Sequence, residues 1–307
     1  MKATDLALGV DIGGTKIAIG LVAADGRILA SETFPTEAAR GFDRAVRRLG
    51  EAGERLLRLN QASAKQLAGV GIGCAGPVDS ERGEINNPHT LTGWSHCDIV
   101  RPVAAALGVP VWLENDADVA AVGECFSGAG RGQDPVVMLT LGTGVGGAAI
   151  SGGKILRGVR GEHPEIGHVA AGRDGPECYC GRRGCLESLL SGSAIATAGQ
   201  AAGLTDAGQV FAAAANGHLE AGHILATVRQ AMDAAIWTLL HTYLPQRIIL
   251  GGGVVEGQRE WFLAIAREAV ARATLVPTGA VTVETAQLGG QAGMVGAACW
   301  AMMRARL

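Results

Sequence analysis

At 307 residues the chain is long enough for two domains, each with its own buried core. A formal net charge of −3, with 26 Lys and Arg dispersed among 29 Asp and Glu, offers no basic field for nucleic acid. Glycine, proline or a charge interrupts every apolar run before it reaches membrane-spanning length, so no membrane partner is expected and the expected setting is cytoplasmic.

Residues 6–10 form a short apolar run, Asp11-Ile12-Gly13-Gly14-Thr15-Lys16 turns, and 17–22 runs apolar again before the hairpin signal Asp25-Gly26 and the strand 27–30. Phe42, Val46, Leu49, Gly53, Leu56 and Leu59 recur at three- and four-residue steps, the stripe of a helix lying on that sheet. A buried strand is predicted at 68–74, a helix at 100–107 and a strand at 110–114. That strand runs into Asn115 and Asp116, and a helix of small residues follows over 117–126. Polar side chains at the carboxyl end of a strand, just before a helix, stand where open α/β sheets bind ligands.

The second half starts like the first: strand 136–141, the turn Gly142-Thr143-Gly144-Val145-Gly146-Gly147, strand 148–150 and a turn at Ser151-Gly152-Gly153. The repeated unit suggests two halves of similar topology facing one another across a cleft. Helices are predicted at 193–202, 220–243 (ended by Pro245) and 259–272, with strands at 247–250 and 281–283. The expected domains are 1–116, completed by a last helix within 290–307 that crosses back, and 117–289, which carries the cysteine-rich loop.

Three glycine turns bear on ligand binding. In the first, Asp11 can hold magnesium through water, while Gly13, Gly14, Thr15 and Lys16 offer unobstructed backbone, a hydroxyl and a charge to a phosphate. Gly142, Thr143 and Gly144 form a second approach point, and Gly252 and Gly253, after the strand 247–250, a third suited to adenosine. The Walker A spacing is absent, and a Rossmann reading fails because a strand, not a helix, follows the second turn. The first turn alone is equally well a plain hairpin; three at three strand ends point together to a nucleotide. Asp116 is the candidate base for an attacking hydroxyl, with a helix N-cap as its alternative role, and Asn115 beside it could fix a sugar hydroxyl.

Cys178-x-Cys180-x4-Cys185 with His168 ten residues upstream offers three thiolates and one imidazole, the tetrahedral set that zinc takes in closed structural sites. Ligands this soft argue against magnesium or calcium there. Seven cysteines is an odd count, no secretory leader is recognised, and Cys74, Cys97, Cys125 and Cys299 are scattered singly, so disulfides are not expected. Glu165 and Glu187 flank the ligands and are free to face something else.

Taken in order, Asp11-Ile12-Gly13-Gly14-Thr15, Glu114-Asn115-Asp116, Leu141 to Gly147, Glu165-Ile166-Gly167-His168 and the segment from Cys178 to Glu187 resemble the ROK family (repressors, open reading frames, sugar kinases) of the actin-like ATPase superfamily. The resemblance implies an α/β, two-domain actin-like (ribonuclease H-like) fold with a central cleft, and ATP- and Mg2+-dependent phosphorylation of a hexose, usually at the 6-hydroxyl. By motif position it implies Asp116 as catalytic base, Asn115, Asp116, Glu165, His168 and Glu187 as sugar contacts, and His168, Cys178, Cys180 and Cys185 as ligands of a structural Zn2+. Dimers or tetramers are common among similar proteins, so a homodimer or homotetramer is expected.

Glucokinase is the first reading of the substrate. His163-Pro164 before Glu165 resembles fructokinase-like members, whereas 175–180 and Gly128 to Gly132 resemble glucokinase- and amino-sugar-kinase-like ones. Asp118 and Thr90 stand where many relatives carry Asn. Fructokinase, mannokinase and N-acetylhexosamine or cyclitol kinase are the alternatives. A sugar-responsive repressor would need a helix-turn-helix domain before Asp11, and ten residues are too few for one. A sugar-binding protein without turnover would be favoured if Asp116 or the Asp11 turn were missing; both are present.

Overall fold

Short apolar runs separated by a glycine turn and an Asp-Gly turn make the amino-terminal segment a meander. The structure, a computed structural model, describes residues 6–306. Strands β1 (Leu6–Ile12), β2 (Lys16–Ala23) and β3 (Ile28–Pro35) pair antiparallel, and helix α1 (Phe42–Leu59) follows. Then come β4 (Leu67–Cys74), three short strands β5 (Val78–Asp79), β6 (Glu84–Ile85) and β7 (Cys97–Asp98), α2 (Val100–Leu107), β8 (Val111–Asn115) and α3 (Asp116–Ser127). The main sheet has the order β3-β2-β1-β4-β8, with β1, β4 and β8 parallel. Leu8, Val10 and Ile12 bury one face against α1 and α2 with Leu49, Leu56, Val103 and Leu107.

The second half repeats this plan. Strands β9 (Val136–Leu141), β10 (Val145–Ser151) and β11 (Lys154–Ile155) pair antiparallel. Helices α4 (Glu187–Leu190), α5 (Gly192–Gly199), α6 (Ala207–Ala215) and α7 (Leu219–Tyr243) lead to β12 (Arg247–Gly251), then α8 (Gly253–Gly257), α9 (Arg259–Arg272), β13 (Thr282–Thr285) and α10 (Ala292–Arg304). The sheet order is β11-β10-β9-β12-β13, again two antiparallel steps and then two parallel ones. Its core is built on Leu139, Leu141, Ile236, Leu240, Ile248, Leu250 and Phe262.

The described residues form two compact units: 6–131 with Arg157–His163 and 290–306, and Gly132–Leu156 with Pro164–Gly289. The boundary expected at 116 therefore falls at 131. Packing explains the difference: a Cβ at Gly296 of α10 would lie 1.6 Å from the Val119 carbonyl oxygen of α3, so the two helices touch backbone to backbone. On the sheet, a Cβ at Gly71 would lie 1.8 Å from the Ala297 carbonyl oxygen, so α10 rests directly on β4. Helices α6 and α8 and the β5-β6-β7 sheet were not expected, and β10 begins at Val145, before the predicted 148. Helix α6 is started by Asp206, whose carboxylate accepts the Gln209 N–H at 2.9 Å. Among the described residues, no helix is long and apolar enough to cross a membrane.

Candidate active site

Strand β8 delivers Asn115 and Asp116 to the start of α3. Asn115 is the cap: its Oδ1 accepts the N–H groups of Ala117 at 2.9 Å and Asp118 at 3.3 Å. The role left open for Asp116 thus falls to its neighbour, although one Asp116 oxygen shares the Ala117 N–H at 2.8 Å. Asn115 is buried, and its Nδ2 lies over Gly76, the side on which a donor remains.

Asp11, at the end of β1, acts electrostatically on Asp116. Burial, then the Asp116 charge, push its carboxyl up to about 6, against the pull of Lys16. In the following turn the Gly13 N–H donates to the Lys16 carbonyl at 3.0 Å, and the Gly13 carbonyl accepts the Thr36 hydroxyl at 2.7 Å. Gly13 is therefore spent on holding the turn, while Gly14 packs against Thr90, and Thr15 and Lys16 are exposed.

Behind Asn115 lies a buried ionic cluster that the sequence did not disclose. Arg157 places Nη2 2.7 Å from Glu114 Oε2 and Nη1 2.5 Å from Asp118 Oδ2. The other Glu114 oxygen accepts the Ser80 hydroxyl and the Asn115 N–H, both at 2.8 Å. Burial pushes the Asp118 carboxyl up to about 6 in spite of Arg157 and His163. Asp118 gives Arg157 its second partner.

In the second unit, His168 closes a short turn and brings Nδ1 to 3.5 Å from Cys178 Sγ, while Cys180 and Cys185 Sγ are 3.5 Å apart. The four donor atoms lie within 4.8 Å of one another, and all seven cysteines are free. Gly184, at φ 69°, allows the reversal between them, and a Cβ there would strike the Gly172 carbonyl oxygen. Burial pushes the Cys185 thiol up to about 12, whereas a backbone hydrogen bond from Arg182 lowers Cys180. Such sulfurs, packed together, suit a thiophilic cation.

Glu187 opens α4 and accepts the Val145 N–H on Oε2 at 2.9 Å, against Gly144 of the second glycine turn. Gly142 accepts the Gly192 N–H at 2.7 Å, Thr143 is exposed, and Gly252, at φ 90°, presses on the Leu141 carbonyl at the same strand end, with Gly253 beginning α8. The sequence reading missed Tyr179. Its hydroxyl lies 3.1 Å from His168 Nε2 and hydrogen-bonds Glu187, and the Glu165 charge also acts on it. Its signal was its place between two of the clustered cysteines. Each unit thus gathers its own set: Asp11, 13–16, Asn115 and Asp116 in the first; 142–144, 252–253, Glu165, His168, Glu187 and the cysteines in the second.

A model of the ROK family matches residues 7–304. The chain belongs to the ROK family. It is 34% identical to the glucokinase of Thermotoga maritima, over 95% of each chain, and 36% identical to the N-acetylmannosamine kinase of Citrobacter koseri, over 95% of this chain and 97% of that one. Its structure matches that of a ROK family glucokinase from Streptomyces griseus in complex with glucose and AMPPNP, with TM-score 0.79 and 34% identity over 97% of this chain and 99% of that one. The two similar sheets are those of the two-domain actin-like fold of ROK kinases.

Proposed function

We propose that this ROK protein transfers the γ-phosphoryl group of ATP to a hexose, with glucose as the preferred acceptor and its 6-hydroxyl as the nucleophile. The observation that carries the reading is the corner at β8 and α3, where Asn115 supplies the helix cap and Asp116 stands beside Asp11 at the carboxyl ends of parallel strands. The T. maritima glucokinase and the glucose and AMPPNP complex of the S. griseus enzyme support the choice of donor and acceptor.

Phosphoryl transfer passes through a loose transition state, so catalysis is chiefly positioning and charge neutralisation. In this reading the hydroxyl oxygen attacks the γ-phosphorus, the bond to the ADP oxygen breaks, and Asp116 takes the hydroxyl proton late. Asp11 offers a partly buried carboxylate next to a second negative charge, a hard oxygen site that fits magnesium held through water. Magnesium, when bound, neutralises charge on the phosphates. The N–H groups of Gly14 and Thr15 and the Lys16 ammonium serve the phosphates, since the Gly13 N–H is engaged; 142–144 and Gly252 and Gly253 serve the nucleotide.

Sugar hydroxyls are bound by Asn115 Nδ2, Glu165, His168 and Glu187. His168, Cys178, Cys180 and Cys185 would hold zinc, and their donor set fits it; zinc, when bound, supplies a rigid mount for the imidazole. Carboxylates that the bound sugar covers, if left without a hydroxyl partner, reject deoxy analogues.

An ADP-release assay over glucose, fructose, mannose, N-acetylglucosamine and N-acetylmannosamine tests the reading. The highest kcat/KM is expected with glucose. Preference for N-acetylmannosamine would move the assignment to the amino sugars, and no ADP release with any of the five would reject the kinase.

A further inference from the structure

The imidazole of His168 has two different neighbours. Nδ1 faces Cys178 Sγ at 3.5 Å, the side of the four-ligand cluster. Nε2 faces the Tyr179 hydroxyl at 3.1 Å, with the two rings edge-on at 90° and 5.1 Å between centroids. The same hydroxyl hydrogen-bonds the Glu187 carboxylate. A carboxylate only accepts, so the phenol donates to Glu187 and accepts the Nε2 hydrogen of His168. One oxygen thereby gives one hydrogen bond and takes another, between the two groups assigned above to the sugar. A sugar hydroxyl needs that same pairing.

Resting on the sugar-kinase reading, we propose that Tyr179 gates the sugar site: its phenol occupies the place of a substrate hydroxyl between His168 and Glu187, and a hexose binds by displacing it. The mount of the side chain suits that role. Tyr179 is 70% exposed, so swinging out empties no core. The turn beneath it is held independently, by the Cys178 N–H to the Arg182 carbonyl at 2.8 Å and the Gly181 N–H to the Cys178 carbonyl at 2.9 Å. Glu187 keeps the Val145 N–H at 2.9 Å as a second anchor, so its carboxylate stays in place when the phenol leaves.

Such a gate lowers apparent sugar affinity by the fraction of molecules in which the phenol stands aside, and admits only ligands that restore both hydrogen bonds. The test is calorimetric titration of the full-length chain and its Tyr179→Phe variant with glucose and the four other sugars named above. The phenyl ring keeps the shape and removes the competing oxygen, so the Kd of the preferred sugar should fall about three- to tenfold. Tyr179→Ala should shift it in the same direction. Equal or weaker binding by Tyr179→Phe, with the unaltered chain binding sugar, overturns the gate and leaves the kinase reading standing. No binding by either protein overturns both, and binding by the variant alone is the gate at its strongest. The chain has two tyrosines, so fluorotyrosine labelling gives two resonances, assigned with Tyr243→Phe. Saturating sugar should move the Tyr179 resonance, and one that stays still overturns the gate.

Discussion

Arg157 and Asp118 form an ion pair, Nη1 to Oδ2 at 2.5 Å, in which the carboxylate is fully buried and the guanidinium largely so. Arg157 also serves Glu114, so one guanidinium offsets two buried carboxylates. Removing it strands both, and breaking a buried pair in this way costs about 3–5 kcal/mol. Arg157→Ala should lower the urea midpoint accordingly, and adding Asp118→Asn should restore part of the loss. No recovery in the double variant beyond the effect of Asp118→Asn alone would show that the two side chains are not coupled.

Asp118 also sets a pH dependence. Its carboxyl stands at about 6 in the folded protein, above the ordinary value of 3.8, because burial outweighs Arg157 and His163, with Glu114 adding repulsion. A raised folded value means that the folded state binds the proton more tightly, so the group penalises folding above pH 6 and the penalty fades as pH falls toward 4. The shift corresponds to about 2–3 kcal/mol. Asp118→Asn should flatten the stability profile between pH 4 and 8 and match or exceed the parent at pH 8; an unchanged slope counts against it.

Asp116→Asn keeps the shape of the β8 and α3 corner, because Asn115 carries the cap. Loss of a general base lowers kcat by about 10²- to 10⁴-fold. Sugar Kd should stay within about threefold, since only the proton acceptor is lost. Loss of sugar binding, or retained turnover, would return Asp116 to a structural role.

Cys180 is the exposed member of the cluster, so Cys180→Ser disturbs little packing. Because metal binding and folding are linked, zinc content, melting temperature and sugar affinity should fall together. Metal analysis of active protein that finds no zinc would refute this.

The sequence by itself determined the local features. Short apolar runs, the Gly13-Gly14 turn and Asp25-Gly26 specified the first meander. The spacing of Cys178, Cys180 and Cys185 specified the cluster, because sulfurs so near in the chain converge once Gly184 allows the turn. The ordered motifs specified the family. Tertiary structure decided what depends on residues far apart in the chain. Gly296 and Val119 are joined only by packing, and so α3 stays with the first unit. Arg157 finds Glu114 and Asp118 some forty positions away, a pairing no local period encodes. Tyr179 looked like a spacer between two cysteines, and only the folded loop shows its hydroxyl between His168 and Glu187, since side-chain direction follows from backbone torsions and contacts that composition does not carry.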